Sequence, residues 1–159
     1  MDAVTKWQLD AVRRILLRLH LLVCGVLLVA GSLVPFQYLD AGTEEVGINL
    51  VTIFGVLIEE GDPLVFLIGF AGLLLCTLVG LVIVLLQTDG RRSRTVQAVG
   101  KVVGVLMAVG ALVPTLVAVL SSRSTEDIAA GPGMAFYYAG TVLFLMLMYS
   151  EELDALRHD

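Results

Sequence analysis

Four stretches of the chain are long, strongly apolar and almost free of charge. They run from residue 19 to 39, 63 to 86, 99 to 120 and 128 to 149. A bilayer hydrocarbon core about 30 Å thick requires about 20 apolar residues of helix. Backbone groups in hydrocarbon must satisfy their own hydrogen bonds, so the pattern predicts helices and not strands. The predicted fold is therefore an all-α bundle of four membrane-spanning helices in a single domain.

The two ends of this pattern carry more detailed signals. Gly131-Pro132-Gly133 interrupts the fourth stretch, and we interpret it as the outer start of that helix, where a proline is tolerated. Residues 1–18 carry an apolar stripe at helical spacing, formed by Val4, Trp7, Ala11 and Ile15. This stripe predicts an amphipathic segment at the inner membrane interface. The first stretch is too long for a signal-peptide core and no small-residue cleavage site follows it, so we expect it to be retained.

Basic residues predict the orientation of the helices. They precede the first stretch and surround the connection between the second and third, at Lys6, Arg13, Arg14, Arg18, Arg91, Arg92, Arg94 and Lys101. The outer loop of residues 40–62 contains no basic residue and six acidic ones, Asp40, Glu44, Glu45, Glu59, Glu60 and Asp62. Cytoplasmic loops carry the excess of lysine and arginine. We therefore expect both termini, including the acidic tail of residues 150–159, on the cytoplasmic side of the plasma (inner) membrane.

Composition narrows the classes of function. Hydrophobic residues make up 58% and charged residues 16% of the chain, against about 45–50% and 25% in soluble proteins. A net charge of −5 argues against nucleic-acid binding, which requires a basic face. Cys24 and Cys76 stand alone in apolar surroundings, and His20 has no second histidine near it, so no metal or cofactor site is predicted.

One segment of the chain occurs in two similar copies. Residues 25–35 read GVLLVAGSLVP and residues 104–114 read GVLMAVGALVP, with both glycines and the final Leu-Val-Pro in common. We favour duplication of a helical hairpin, which would give two parallel repeats related by an axis along the membrane normal. The alternative is convergence within an alphabet restricted to Gly, Leu, Val and Ala.

Glycines on the apolar stretches are the candidates for close helix packing. The positions concerned are Gly25, Gly31, Gly100, Gly104 and Gly110. Small residues let helix backbones approach each other within a bilayer. Packing inside one chain is the commoner use of such residues, and contact with a second copy or another membrane subunit is the alternative. Gly69, Ala71 and Gly72 form a further small-residue patch on the second stretch.

The outer loop contains an apolar run, residues 47–58, that is bracketed by glutamates and too short to span the membrane. Val51, Phe54 and Leu57 are its candidate docking residues. We expect a lid across the outer mouth of the bundle, with a docking surface or a re-entrant segment as the alternatives. Aromatic residues near the outer ends of the helices predict an aromatic belt, formed by Phe36, Tyr38, Tyr137 and Tyr138.

The sequence favours a non-enzymatic accessory or structural subunit of a larger membrane complex, of a transport or respiratory type. The expected partners are the lipid bilayer and other membrane subunits or further copies of the chain. The alternative is a small oligomeric transporter or channel in which residues 47–58 re-enter the bilayer. An enzyme is the least favoured class, because no nucleophile–base pair or metal set lies at one membrane depth.

Overall fold

The computed structural model describes residues 3–40, 45–52, 64–88, 93–121 and 128–150. The elements follow in the order α1 (Ala3–Leu33), β1 (Gln37–Asp40), β2 (Glu45–Ile48), α2 (Leu64–Thr88), α3 (Arg94–Ser121), β3 (Ile128–Ala130) and α4 (Pro132–Tyr149). Within these ranges, four helices are long and apolar enough to cross a membrane. The prediction of four such helices is confirmed, and it suggests a multi-pass membrane protein.

The helices form an antiparallel ring in which each packs on the next in sequence and α4 packs along α1. The contact between α1 and α4 is the most extensive. A single core fills the centre of the ring. Its fully buried apolar side chains include Leu21, Leu28, Met107, Phe144 and Met148.

Helix α1 is one continuous helix and differs from the sequence prediction at both ends. It begins at Ala3, so residues 3–18 belong to the same helix as the first span instead of forming a separate segment. It ends at Leu33, whereas the prediction continued to residue 39. The reason is Pro35, which has no N–H and disfavours the helical conformation at Val34. The Val34 N–H still donates to Ala30 O at 2.8 Å.

One end of the bundle, which we call the outer end after the predicted orientation, carries a small antiparallel sheet that the sequence did not predict. Strand β1 lies in the middle, between β2 and β3. Tyr38 is paired with Gly47 on one side and with Ala129 on the other. Residues 37–39 and 128–130 lie within the apolar stretches of the predicted spans, but prolines 35 and 132 separate them from the helices. Their backbone groups are satisfied by strand pairing instead.

Local sequence features explain where α3 and α4 begin. The Ser93 side chain caps α3, because the Val96 N–H donates to Ser93 Oγ at 3.1 Å. Such a cap satisfies one of the unpaired donors of a first helical turn. Helix α4 starts at Pro132 after Gly131, as the sequence predicted. Proline suits this position because its missing N–H would have no helical partner there.

Candidate functional site

The five candidate glycines all lie at helix–helix contacts within the chain. A Cβ atom on Gly31 would come within 2.5 Å of the Tyr137 backbone N, and one on Gly104 within 2.7 Å of Leu145 Cδ2. The other three face Val84 from Gly25, Met148 from Gly100 and Leu73 from Gly110. Gly31, Gly100, Gly104 and Gly110 therefore allow a close approach between two helices of the same bundle, whereas a Cβ on Gly25 would meet Val84 at 3.5 Å, an ordinary van der Waals distance.

Two further glycines fix the connection between the sheet and α4. A Cβ atom on Gly131 would collide with Pro35 O, and one on Gly133 would collide with Val34 O. The Gly131 N–H donates to Phe36 O at 2.7 Å, and the Gly133 N–H donates to Pro35 O at 2.9 Å. The start of α4 is thus hydrogen-bonded directly to the chain that leaves α1.

Tyr137 lies inside the bundle and not in the predicted lipid-facing aromatic belt. Its side chain is fully buried, and its hydroxyl is 2.6 Å from Thr77 Oγ1 on α2. Its ring meets Phe36, also buried, edge to face at a centroid distance of 5.6 Å. The two residues join the sheet to the core, so this part of the belt prediction is corrected. Aromatic pairs in this geometry add stability beyond their buried area.

Tyr138, the next residue on α4, makes a second polar contact between helices. Its hydroxyl donates to Ala111 O of α3 at 2.6 Å and also contacts the Thr115 hydroxyl. Thr115 Oγ1 donates to the same carbonyl at 2.9 Å. The Ala111 carbonyl therefore accepts hydrogen bonds from two side-chain hydroxyls, one on its own helix and one on α4.

Thr141 is the exception among the buried hydroxyls. Ser32, Thr77, Thr88 and Thr115 each donate to the carbonyl four residues earlier. This bond is the usual way in which a hydroxyl is satisfied within a helix. Among the described residues, Thr141 Oγ1 is fully enclosed and has no hydrogen-bond partner. It is an energetically costly group at the centre of the bundle.

In the part of the chain that the structure describes, two glutamines are the buried polar side chains at the end of the bundle where α2 ends and α3 begins. Gln97 of α3 donates from Nε2 to Met148 O of α4 at 3.3 Å. Gln87 of α2 is also buried, and its Oε1 has no partner within the described part of the chain. Every buried polar side chain in the described ranges is neutral: Ser32, Thr77, Gln87, Gln97 and Thr141.

The described residues provide no constellation for metal or nucleophilic chemistry. No group of three or more His, Cys, Asp or Glu residues among them could hold a metal ion. His20 Nδ1 lies 2.7 Å from Leu16 O on its own helix. Because a carbonyl only accepts, Nδ1 carries the proton in this contact. Cys24 and Cys76 are free thiols, and Cys24 Sγ contacts Gly140 O at 3.5 Å.

The candidate docking residues of the outer loop are described only in part. Val51 is exposed in a turn whose N–H groups, at Val51 and Thr52, donate to Asn49 Oδ1. Phe54 and Leu57 lie outside the described residues. Leu50 is buried in the core, and Ile48 O accepts the Phe36 N–H at 2.7 Å. The beginning of the apolar run therefore packs on the outer end of the bundle.

Compared with known proteins, the chain matches no family model, no curated protein and no solved structure. The geometry of its own residues is therefore the basis for a proposal on function.

Proposed function

We propose that the protein is a four-span plasma (inner) membrane protein that serves as a non-enzymatic accessory subunit of a larger membrane assembly. The observation that carries this proposal is the contrast between its core and its surface. The buried polar side chains of the described core are neutral, and most of them bond within the chain. The helix surfaces, in contrast, expose large apolar side chains.

The helix surfaces support membrane insertion. Large apolar side chains are exposed on every helix, among them Val26 and Val29 of α1, Val82 and Leu85 of α2, Val102 and Val109 of α3, and Val142 and Met146 of α4. An apolar surface that extends around all the helices is far larger than the exposed patches of soluble monomers. In a membrane, lipid acyl chains would cover this surface and avoid the free-energy cost of exposing it to water.

The distribution of charge supports an orientation with both termini in the cytoplasm. The antiparallel ring brings the first half of α1 and the first turns of α3 to the same end of the bundle, with their arginines and Lys101. The sheet, with Asp40 and Glu45, lies at the opposite end. The positive-inside rule assigns the basic end to the cytoplasm.

The interior of the bundle supports a role without chemistry or ion conduction. Ionisable residues within a membrane protein usually mark transport paths or proton relays. Within the described ranges, the buried polar groups are hydroxyls and amides, and most of them bond to the chain itself. We therefore propose that this protein acts through its surface.

The outer half of α2 offers a surface for a partner helix, which we call the α2 outer face. It comprises Ile68, Gly69, Ala71, Gly72 and Leu75, all exposed. Among the described residues, a Cβ atom on Gly69 or Gly72 would meet nothing within 4 Å. These two glycines therefore differ from the five that face another helix of the same chain, and a neighbouring helix could approach the backbone there.

A pull-down of the tagged full-length chain from membranes in a mild detergent tests the proposal. We expect other membrane subunits to co-purify, and we expect Gly72→Leu to reduce their recovery. Val82→Leu, at an exposed position nearer the other end of α2, is the matched control and should leave recovery unchanged. Recovery of this chain alone as a homo-oligomer would contradict the subunit proposal. It would favour the transporter or channel with residues 47–58 re-entering the membrane.

The duplicated hairpin also remains a proposal, and the glycine contacts support it. If α1 corresponds to α3, and α2 to α4, Gly25 facing α2 matches Gly104 facing α4. Gly31 facing α4 likewise matches Gly110 facing α2. One difference separates the two halves, because α1 ends before Pro35 whereas α3 continues past Pro114 to Ser121.

A further inference from the structure

A groove lies between the first half of α1 and the last turns of α4. Its volume is about 620 Å³. Apolar side chains make up most of its wall: Leu9, Val12 and Leu16 of α1 and Leu143, Met146 and Leu147 of α4. The wall from residue 9 to residue 20 extends along α1 for about 16 Å. The part of this wall from Arg13 to His20 is about 10 Å long, or two-thirds of one leaflet of the hydrocarbon core, which is about 15 Å thick.

The groove is amphipathic along its length. Its polar lining residues are Arg13, His20 and Ser150. Leu9 and Val12 lie on the N-terminal side of Arg13, and Leu16 and Leu17 lie between Arg13 and His20. Arg14 and Arg18 are exposed nearby on α1, and Asp10 is the only acidic residue within the helix. A guanidinium has five N–H donors, so Arg13 can bind a phosphate oxygen alongside its other contacts.

We propose that this groove binds one anionic phospholipid from the cytoplasmic leaflet, with its phosphate at Arg13 and Ser150 and an acyl chain along Leu16 and Met146. The proposal requires membrane insertion but not the accessory-subunit function. Charge complementarity selects this occupant. The apolar wall matches an acyl chain, and the basic rim favours a headgroup with a net negative charge over a zwitterionic one.

The test is lipid retention by the delipidated full-length protein in a mild detergent, counted by native mass spectrometry. The probes are dioleoylphosphatidylglycerol and dioleoylphosphatidylcholine at equal concentrations. We expect one phosphatidylglycerol to be retained in preference to phosphatidylcholine. Arg13→Gln should weaken that retention about fivefold, the loss expected for one cationic contact to an anionic lipid. Arg14→Gln removes the same charge outside the groove wall and should weaken retention less than Arg13→Gln does.

A second pair of variants tests the apolar wall. Leu16→Trp fills the groove and should abolish the preferred lipid, whereas Leu19→Trp, exposed on α1 outside the wall, should not. Thermal unfolding of each variant verifies that it is folded, and Arg13→Gln provides the test if Leu16→Trp is not. Equal losses in Arg13→Gln and Arg14→Gln, or equal retention of the two lipids, would overturn the proposal. Retention that appears only after removal of residues 151–159 would also overturn it, because the tail would then be the occupant.

Discussion

At the residue scale, two threonines of the same bundle are in opposite situations. Thr77 shares a hydrogen bond with the Tyr137 hydroxyl and donates to Leu73 O. Thr141 is equally buried, but its hydroxyl has no partner in the described structure. A buried polar group without a partner costs free energy, whereas a satisfied one contributes modestly to stability. Substitution by valine should therefore have different effects at the two positions.

We predict that Thr77→Val lowers the free energy of unfolding by about 1 kcal/mol, because the Tyr137 hydroxyl loses its partner. Thr141→Val should leave the stability unchanged or raise it, because it removes only an unsatisfied group. Reversible unfolding of both variants in mixed detergent micelles measures the difference. An equal loss of stability in both would mean that Thr141 has a stabilising contact, and would contradict this account.

The burial of Tyr137 illustrates what the sequence could not predict at this scale. Aromatic residues near the end of a span usually face the membrane interface, which led to the belt prediction. Tyr137 and Tyr138 are neighbours, but Tyr137 is fully buried and Tyr138 only partly. Helix position alone does not determine which face points inward, because every face of α4 is apolar. The direction depends on close contact with α1 at Gly31, which lies far away in sequence.

At the element scale, glycines define two kinds of helix surface. Gly104 lies against Leu145 and Phe144 of α4, so α3 and α4 approach closely there. Gly72 on α2 has no atom of the described part of the chain within 4 Å of its Cβ position. The same substitution should therefore affect the fold at one glycine and only an intermolecular contact at the other.

We predict that Gly104→Ala lowers the free energy of unfolding by at most about 1 kcal/mol, because the Leu145 side chain must shift while the better helix propensity of alanine offsets part of that cost. Gly72→Ala should not lower it, because the methyl group enters open space and alanine favours helix over glycine. Unfolding of the purified variants in detergent tests both expectations. A destabilising Gly72→Ala in a monomeric preparation would show that this face packs within the chain, and would remove the α2 outer face as a partner site.

The sequence was more informative about helices than about their outer connections. A long uncharged apolar stretch indicates a membrane-spanning helix from local sequence alone, so all four helices were predicted. The outer sheet was not, because Tyr38-Leu39 and Ile128-Ala129-Ala130 are as apolar as the spans beside them. Their strand conformation depends on prolines 35 and 132 and on pairing between distant parts of the chain. Ser93 could have been recognised as a helix cap from the sequence. It would have placed the start of α3 at Arg94 instead of residue 99.

At the scale of the whole molecule, charge is segregated between the two ends of the bundle. The basic residues of α1 and α3 lie at one end, and the sheet with its acidic residues lies at the other. In a cell membrane, this separation favours insertion in one orientation.

We therefore predict that green fluorescent protein fused to either terminus of the chain is fluorescent in a bacterial inner membrane. Alkaline phosphatase fused after Val51 should be active, because that position would face the periplasm. Fusions of the same reporters in the reverse arrangement are the controls and should be inactive. Active phosphatase at the C-terminus would contradict the proposed orientation.

The outer sheet also determines where the bundle can move. Pairing of β1 with β3 connects the outer end of α1 to the start of α4, and Gly131 and Gly133 tighten this connection. At the opposite end, these two helices continue towards the two chain termini and share no strand pairing. We therefore expect α1 and α4 to separate least at the sheet and most at the groove beside Arg13. A lipid bound in the groove would connect the two helices at that end.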